Sequence, residues 1–269
     1  MDSLKKIAKL LLSDYLIGKI YGLFYGWHGN YNSWAAAQQK CTGYDEKKIL
    51  DNVIANAERV KKGEIPYERD SVAFDKVEYS FPVLSALMWI SIKNDVRLNL
   101  LDFGGSLGTS YYQNIQFLNH LSALNWCIVE QSHFVDEGKK HFEDQNLHFF
   151  YSLNECMSMY KINAVLLSNV IQYLENPYVI LEEIISKKIE YIIVDRTLFV
   201  NRDEDRLTIQ KVPEKIYKAS YCCWFLSEEK FLNQFRNRYD LIYDYNVKGI
   251  INIRALYKGY LFKIKEEFK

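Results

Sequence analysis

The chain has 269 residues, with 34 Lys plus Arg balanced by 34 Asp plus Glu, 49% hydrophobic residues and 25% charged ones. Zero net charge argues against a general nucleic-acid binder, which carries a positive excess, and the apolar share is that of a globular chain of one or two domains. Only 4 Pro and 12 Gly leave little room for long linkers, while 21 Tyr lift the aromatic share to 15% and supply rings with polar tips for core or pocket. Cys41, Cys127, Cys156, Cys222 and Cys223 show neither paired spacing nor a metal-ligand pattern, so free thiols in a reducing cytoplasm are expected.

Along the chain, Leu4, Ile7, Leu11, Leu12, Tyr15 and Leu16 recur at helical spacing and predict a basic amphipathic first helix. Lys5, Lys6, Lys9, Asp14 and Lys19 break the apolar run, so no transmembrane segment is expected. Peripheral contact with a membrane surface suits such a helix, although packing onto its own protein is the commoner outcome. His28, between Trp27 and Gly29, reads either as a turn histidine or as a base. Residues 44–62 predict a second helix, with Ile49, Leu50, Val53, Ile54 and Val60 on one face. Residues 67–80 (YERDSVAFDKVEYS) are too polar for core and too aromatic for an idle linker, and 82–93 predict a buried helix.

From residue 97 short apolar runs alternate with helical stretches. RLNLLDF, WCIVEQ, LHFFY, NAVLLSNV and YIIVDRTLF read as strands separated by helices at 112–124, around 134–142, near Asn154 and at 177–186. This alternation predicts an α/β sandwich with a largely parallel sheet, and a ligand beyond the C-terminal ends of its strands.

The first strand runs into Asp102-Phe103-Gly104-Gly105-Ser106-Leu107-Gly108. A dinucleotide turn wants G-x-G-x-x-G to seat a pyrophosphate. Here a carboxylate stands two residues before the first glycine, which repels a pyrophosphate but suits a cation. S-adenosylmethionine carries a sulfonium and an ammonium and no phosphate. Glu130 ends the second strand, where a carboxylate can take both ribose hydroxyls, and Gln131 follows it toward the adenine. Ser152 after the third strand is a polar partner for the adenine amino group. Ser168, Gln172 and Tyr173 follow the fourth, with Gln172 and Tyr173 facing the reactive centre. A tyrosine face can hold a sulfonium by cation–π attraction.

At these residues the chain resembles class I S-adenosylmethionine-dependent methyltransferases, and more closely a bacterial family of methyltransferases of surface-polysaccharide (capsule or O-antigen) loci. The stretches that carry the resemblance are YGWHGNYNSW, GYDEKKIL, YERDSVAFDKVEYSFP, LLDFGGSLGTSYYQN, IVEQSHFV, LLSNVIQYLENP, YIIVDRTLF and YKASYCCWFLSEEKF. The resemblance implies S-adenosylmethionine as cofactor and a Rossmann-like sandwich: a mostly parallel seven-stranded sheet whose last pair is a hairpin, with helices on both faces. Residues 1–95 would be an N-terminal helical cap on the acceptor side, and 96–269 the cofactor-binding domain. It further implies that Asp102, Gly104, Gly105 and Gly108 form the cofactor loop and that Glu130 takes the ribose. Ser106 departs from the common pattern, standing where a glycine is usual; its hydroxyl could bond the cofactor carboxylate.

Methyl transfer needs acceptor and methyl held in line with water excluded, and a hydroxyl acceptor needs a base. Asp70, Tyr79 and His28 are the candidate bases, with Glu68 qualifying by type. Arg69, Arg196, Arg206 and Lys211 suit an anionic, phosphorylated or nucleotide-linked acceptor, unless the arginines pair with Asp195, Asp203 and Asp205. Tyr111, Tyr112 and Tyr173 would line the acceptor side. The expected activity is O-methylation of a small activated precursor of capsule or surface glycan, at a sugar hydroxyl or a phosphate or phosphoramidate oxygen. A non-catalytic scaffold of polysaccharide assembly is the alternative class; a nucleotide-dependent oxidoreductase is disfavoured by the absent dinucleotide turn.

Overall fold

The computed structural model describes residues 14–42, 46–69, 71–213 and 219–269. The amphipathic run that opens the sequence lies mostly outside them, and so does Asp70. In chain order the elements are α1 (Asp14–Tyr21), β1 (Gly26–Tyr31), α2 (Trp34–Gln38), α3 (Glu46–Lys61), β2 (Tyr67–Arg69), β3 (Val72–Phe74), α4 (Phe81–Lys93), β4 (Arg97–Phe103), α5 (Thr109–Leu118), β5 (Ala123–Val129) and α6 (Ser132–His141). They continue with β6 (Leu147–Phe150), α7 (Leu153–Met159), β7 (Ala164–Ser168), α8 (Pro177–Ser186), β8 (Tyr191–Val200), β9 (Arg206–Lys211), β10 (Ser220–Ser227), α9 (Glu228–Phe235), β11 (Tyr239–Val247) and β12 (Leu256–Ile264). None of the described helices is long and apolar enough to cross a membrane.

Strands β6-β5-β4-β7-β8 pair in parallel. β12 then adds to β8 antiparallel, and β11 to β12, completing seven strands with a C-terminal hairpin. This is the Rossmann-like α/β sandwich expected from the alternating pattern. Period-two alternation sorts the strand residues onto its two faces. Leu101, Val165, Leu167, Ile192 and Val194 pack with Leu181, Ile184, Phe231 and Phe235 of α8 and α9. Leu98, Leu100, Ala164, Leu166, Tyr191 and Ile193 pack with Val83, Leu87 and Ile90 of α4, Tyr111 and Leu118 of α5, and Val53 and Ala57 of α3. The same parity sends Asp102, Ser168 and Asp195 onto the second face, one step beyond its last apolar residues.

The structure departs from the sequence expectation in its strands and in one helix end. The last residues of β8, Phe199 and Val200, pair in parallel with β10; β10 pairs with β9, and β9 with β1, so three further strands extend the sheet. The first 95 residues are therefore not all helical. Trp27 anchors β1, buried edge-on against Phe225 at 5.7 Å and donating from Nε1 to Cys223 Sγ at 3.3 Å. Its strand is short and carries two glycines, which hides it from pattern reading. Tyr67–Arg69 and Val72–Phe74 pair as the small β2–β3 hairpin, and α5 stops at Leu118 because Ala123 begins β5.

Candidate active site

A cavity of about 450 Å³ opens at the C-terminal ends of β4 and β7 and beside the middle of β8. Its wall comes from the glycine turn (Gly104–Ser106), from β2 and the segment before α4 (Glu68, Arg69, Glu78, Tyr79, Ser80), and from the central strands (Asp102, Ser168, Asn169, Asp195, Arg196), with Tyr245 and Lys248 closing one side.

The glycine turn is held open by backbone geometry. Gly104 has φ +73°, and a Cβ there would lie 2.5 Å from Val170 Cγ2. A Cβ on Gly105 would lie 2.7 Å from the Asp102 carboxylate. Ser106 adopts φ +54°, the left-handed conformation that a glycine takes at that position, so the departure from the common pattern is absorbed by a strained serine. Gly108, at φ +100°, starts α5 and faces Leu147 and Tyr112, away from the cavity lining.

Asp102 is 1% exposed and accepts from Trp126 Nε1 at 2.9 Å. Burial, helped by nearby Glu130 and only partly offset by that indole donor, pushes its carboxyl up to about 7. Half-buried Glu130 accepts from its neighbour Gln131 N–H at 2.6 Å and from the Ser106 N–H, tying the end of β5 to the glycine turn; burial raises its carboxyl too. On β2, buried Glu68 accepts from Thr109 Oγ1 at the start of α5, and Arg69 pairs with Glu78 at 3.0 Å.

Ser168 and Asp195 are register partners in β7 and β8, so their side chains meet on one face, with Ser168 Oγ donating to Asp195 Oδ2 at 3.0 Å. Asn169 and Arg196, the next residues, both adopt left-handed backbone, φ +53° and +52°. Fully buried Gln172 ties these two turns together, donating from Nε2 to Asn169 Oδ1 at 2.7 Å and to the Arg196 carbonyl at 3.2 Å. Truncating it leaves two half-buried acceptors without that partner, so Gln172→Ala is expected to lose about 2 kcal/mol of stability in urea unfolding; a wild-type midpoint would show that the turns stand without it.

Of the candidate bases, Tyr79 lines the cavity, its hydroxyl accepting from Gln116 Nε2. His28 sits in β1 at the sheet's far edge, its ring bonded to the Tyr25 carbonyl at 3.1 Å, and is absent from the lining. Of the cofactor candidates, Asp102, Gly104, Gly105, Ser106 and Ser168 share the cavity, and Glu130 is one hydrogen bond behind it. Gln131 is the N-cap of α6, and Ser152 caps α7, accepting from Glu155 N–H at 3.2 Å; neither lines the cavity, nor does Gln172.

Of the acceptor candidates, Arg69 and Arg196 line the wall. Arg196 forms no ion pair among the described residues, and neither does Lys248. Arg206 is spent on the Gly29 carbonyl, at 3.1 and 2.8 Å, and Lys211 is exposed on β9; Asp205 instead holds Lys230 at 2.7 Å, so the arginine–aspartate pairing does not form. Tyr111 and Tyr112 pack inward, Tyr111 edge-on to Trp126 at 5.8 Å, and Tyr173 donates to Gln210 Oε1 at 3.0 Å beside Tyr221. Asn169, Ser80 and Tyr245 enter the site without having been singled out, and Asp195 enters it where the sequence offered it only as an ion-pair partner. Asp195 was visible as the residue before Arg196; nothing in the pattern of β11 marks Tyr245.

No protein-family model matches the chain, and no curated protein matches it. Among solved structures, the N-terminal domain of EvdMO1, crystallised in the presence of SAH and D-fucose, is similar at 12% identity and TM-score 0.49, over 82% of this chain and 97% of that one. The magnesium protoporphyrin IX methyltransferase of Synechocystis PCC 6803, with bound SAM, is similar at 13% identity and TM-score 0.44, over 95% and 99%. The Burkholderia thailandensis 1,6-didemethyltoxoflavin-N1-methyltransferase is similar at 9% identity and TM-score 0.44, over 84% and 91%.

Proposed function

We propose that the chain is a cytoplasmic S-adenosylmethionine-dependent methyltransferase acting on an oxygen of a small phosphorylated or nucleotide-linked precursor of surface glycan. One observation carries the donor: a left-handed glycine turn opens directly onto a cavity walled by Glu68 and Asp102, both buried carboxyls. That donor set suits a sulfonium and an ammonium and disfavours a pyrophosphate. When bound, S-adenosylmethionine supplies an electrophilic methyl group on a positively charged sulfur. Gly104 and Gly105 would give its tail close access to the backbone, Glu130, which braces the turn, would take the ribose, and Ser168 and Asn169 would border the methyl. Residues 1–95 supply part of the acceptor side through Arg69, Tyr79 and Ser80; residues 96–269 supply the donor side and the rest of the acceptor side. Arg196 and Lys248, which form no ion pair among the described residues, are available to an anionic group on the acceptor.

Titration calorimetry with S-adenosylhomocysteine tests the donor: micromolar binding is expected, and binding of NAD(P) in its place would overturn it. Glu130→Ala should weaken that binding by about tenfold to a hundredfold, the effect of losing a charge-assisted hydrogen bond. Unchanged affinity would remove Glu130 from the ribose.

A further inference from the structure

Asp195 stands out as a carboxylate whose every described partner is neutral. It is 2% exposed, lines the cavity, and has no cation at ion-pair distance among the described residues. Its partners are three hydroxyls: Oδ1 accepts from Tyr245 at 2.7 Å and from Ser80 at 3.3 Å, and Oδ2 accepts from Ser168 at 3.0 Å. Ser80 is the N-cap of α4, so the carboxylate also lies near the positive end of that helix. A carboxylate has about four acceptor positions on its two oxygens. Three are filled, and the one left is on Oδ2, the oxygen beside Ser168 at the end of β7.

The surrounding backbone is built around this group. Lys258 pairs with Thr197 and Tyr260 with Val194, so Gly259 alone faces both Asp195 and Arg196: β8 bulges there, with Arg196 in the left-handed conformation. On its other side β12 pairs Gly259 with Tyr245 of β11. The Tyr245 ring lies over Gly259, where any Cβ would overlap it, and so reaches across a whole strand to Asp195. Burial and the adjoining Asp195 push the Tyr245 phenol upward, which keeps it a proton donor to the carboxylate.

Resting on the methyltransferase reading, we propose that Asp195 is the base of the reaction and that the acceptor atom is a neutral hydroxyl oxygen. An acceptor oxygen that already carries charge needs no base, and a buried carboxylate beside it would repel it. The acceptor O–H donates to the remaining position on Asp195 Oδ2. As the oxygen lone pair forms the new C–O bond, the C–S bond breaks and its electrons neutralise the sulfonium. The hydroxyl proton passes to Asp195 and then to solvent. Tyr245, Ser80 and Ser168 are positioning residues that keep the free lone pair aimed into the cavity, and Gly259 positions Tyr245.

The test uses the full chain, an isotope-labelled methyl donor and a small-molecule extract of the cells that make the protein. Asp195→Asn should bind S-adenosylhomocysteine as the wild type does by calorimetry, yet transfer label about a hundredfold or more slowly. Tyr245→Phe and Gly259→Ala should slow transfer at saturating extract while leaving donor affinity intact; a purely structural role would instead lower the thermal midpoint and donor affinity together. The labelled product should be a methyl ether, stable to mild alkali. Wild-type transfer by Asp195→Asn, or label on a phosphate or carboxylate oxygen, overturns the proposal. Wild-type protein that fails to bind S-adenosylhomocysteine removes the donor reading itself, so the two failures are distinguishable.

Discussion

Replacing Gly104 with valine is expected to abolish donor binding, lowering S-adenosylhomocysteine affinity by about a hundredfold or more. Two costs add. The backbone sits at φ +73°, which a β-branched residue resists, and the new Cβ would lie 2.5 Å from Val170 Cγ2. The turn must shift, although its start is pinned by the Gly104 N–H bond to the Val129 carbonyl at 2.9 Å. A loss of roughly 3 kcal/mol in binding is a hundredfold in affinity. Gly63 supplies the control: it has the same φ of +73° with nothing within 4 Å, and it lies outside the cavity. Gly63→Ala should cost only backbone strain and leave calorimetric affinity unchanged. A Gly104→Val protein that binds like wild type would show that the turn does not meet the ligand.

The second large effect is on stability against pH. Asp102 is held at about 7 in the fold against an ordinary value of 3.8. Between those values the folded chain keeps a proton that the unfolded chain releases, so stability falls as pH rises through the window. The full difference corresponds to roughly 4 kcal/mol. Asp102→Asn keeps an oxygen that can accept from Trp126 Nε1 but cannot ionise. Urea unfolding across pH 4 to 8 should therefore show the wild type losing stability relative to Asp102→Asn, with the gap levelling off above about pH 7. Parallel curves would mean that Asp102 is ionised in the fold throughout.

The central sheet was legible because its strands are buried on both faces and read as apolar runs cut by helices and glycines. The glycine turn was legible for a related reason: its residues are constrained by local backbone geometry. What escaped is set by distant pairing. β1 is six residues with two glycines and acquires strand geometry only by pairing with β9. Tyr245 reaches Asp195 through Gly259, three residues on three strands whose alignment includes a bulge, and no local pattern encodes it. Arg206 and Arg196 looked equivalent in sequence. Yet one is tied to the Gly29 carbonyl and the other lines the cavity, because β9 pairs with β1 at the sheet's far edge while Arg196 lies in β8 between β7 and β12.

The strand that escaped detection also has a consequence for synthesis. β1 emerges early, but Tyr31 pairs with Leu207 and Gly26 with Lys211, roughly 180 residues later. At about 5–20 residues per second, a ribosome leaves that strand without its partner for about 10–40 s. Throughout that interval Trp27 has neither Phe225 nor Cys223 to cover it. β1 is thus docked only after its distant partner has been made, and until then the nascent chain carries an unpaired strand and a Trp27 without its native cover.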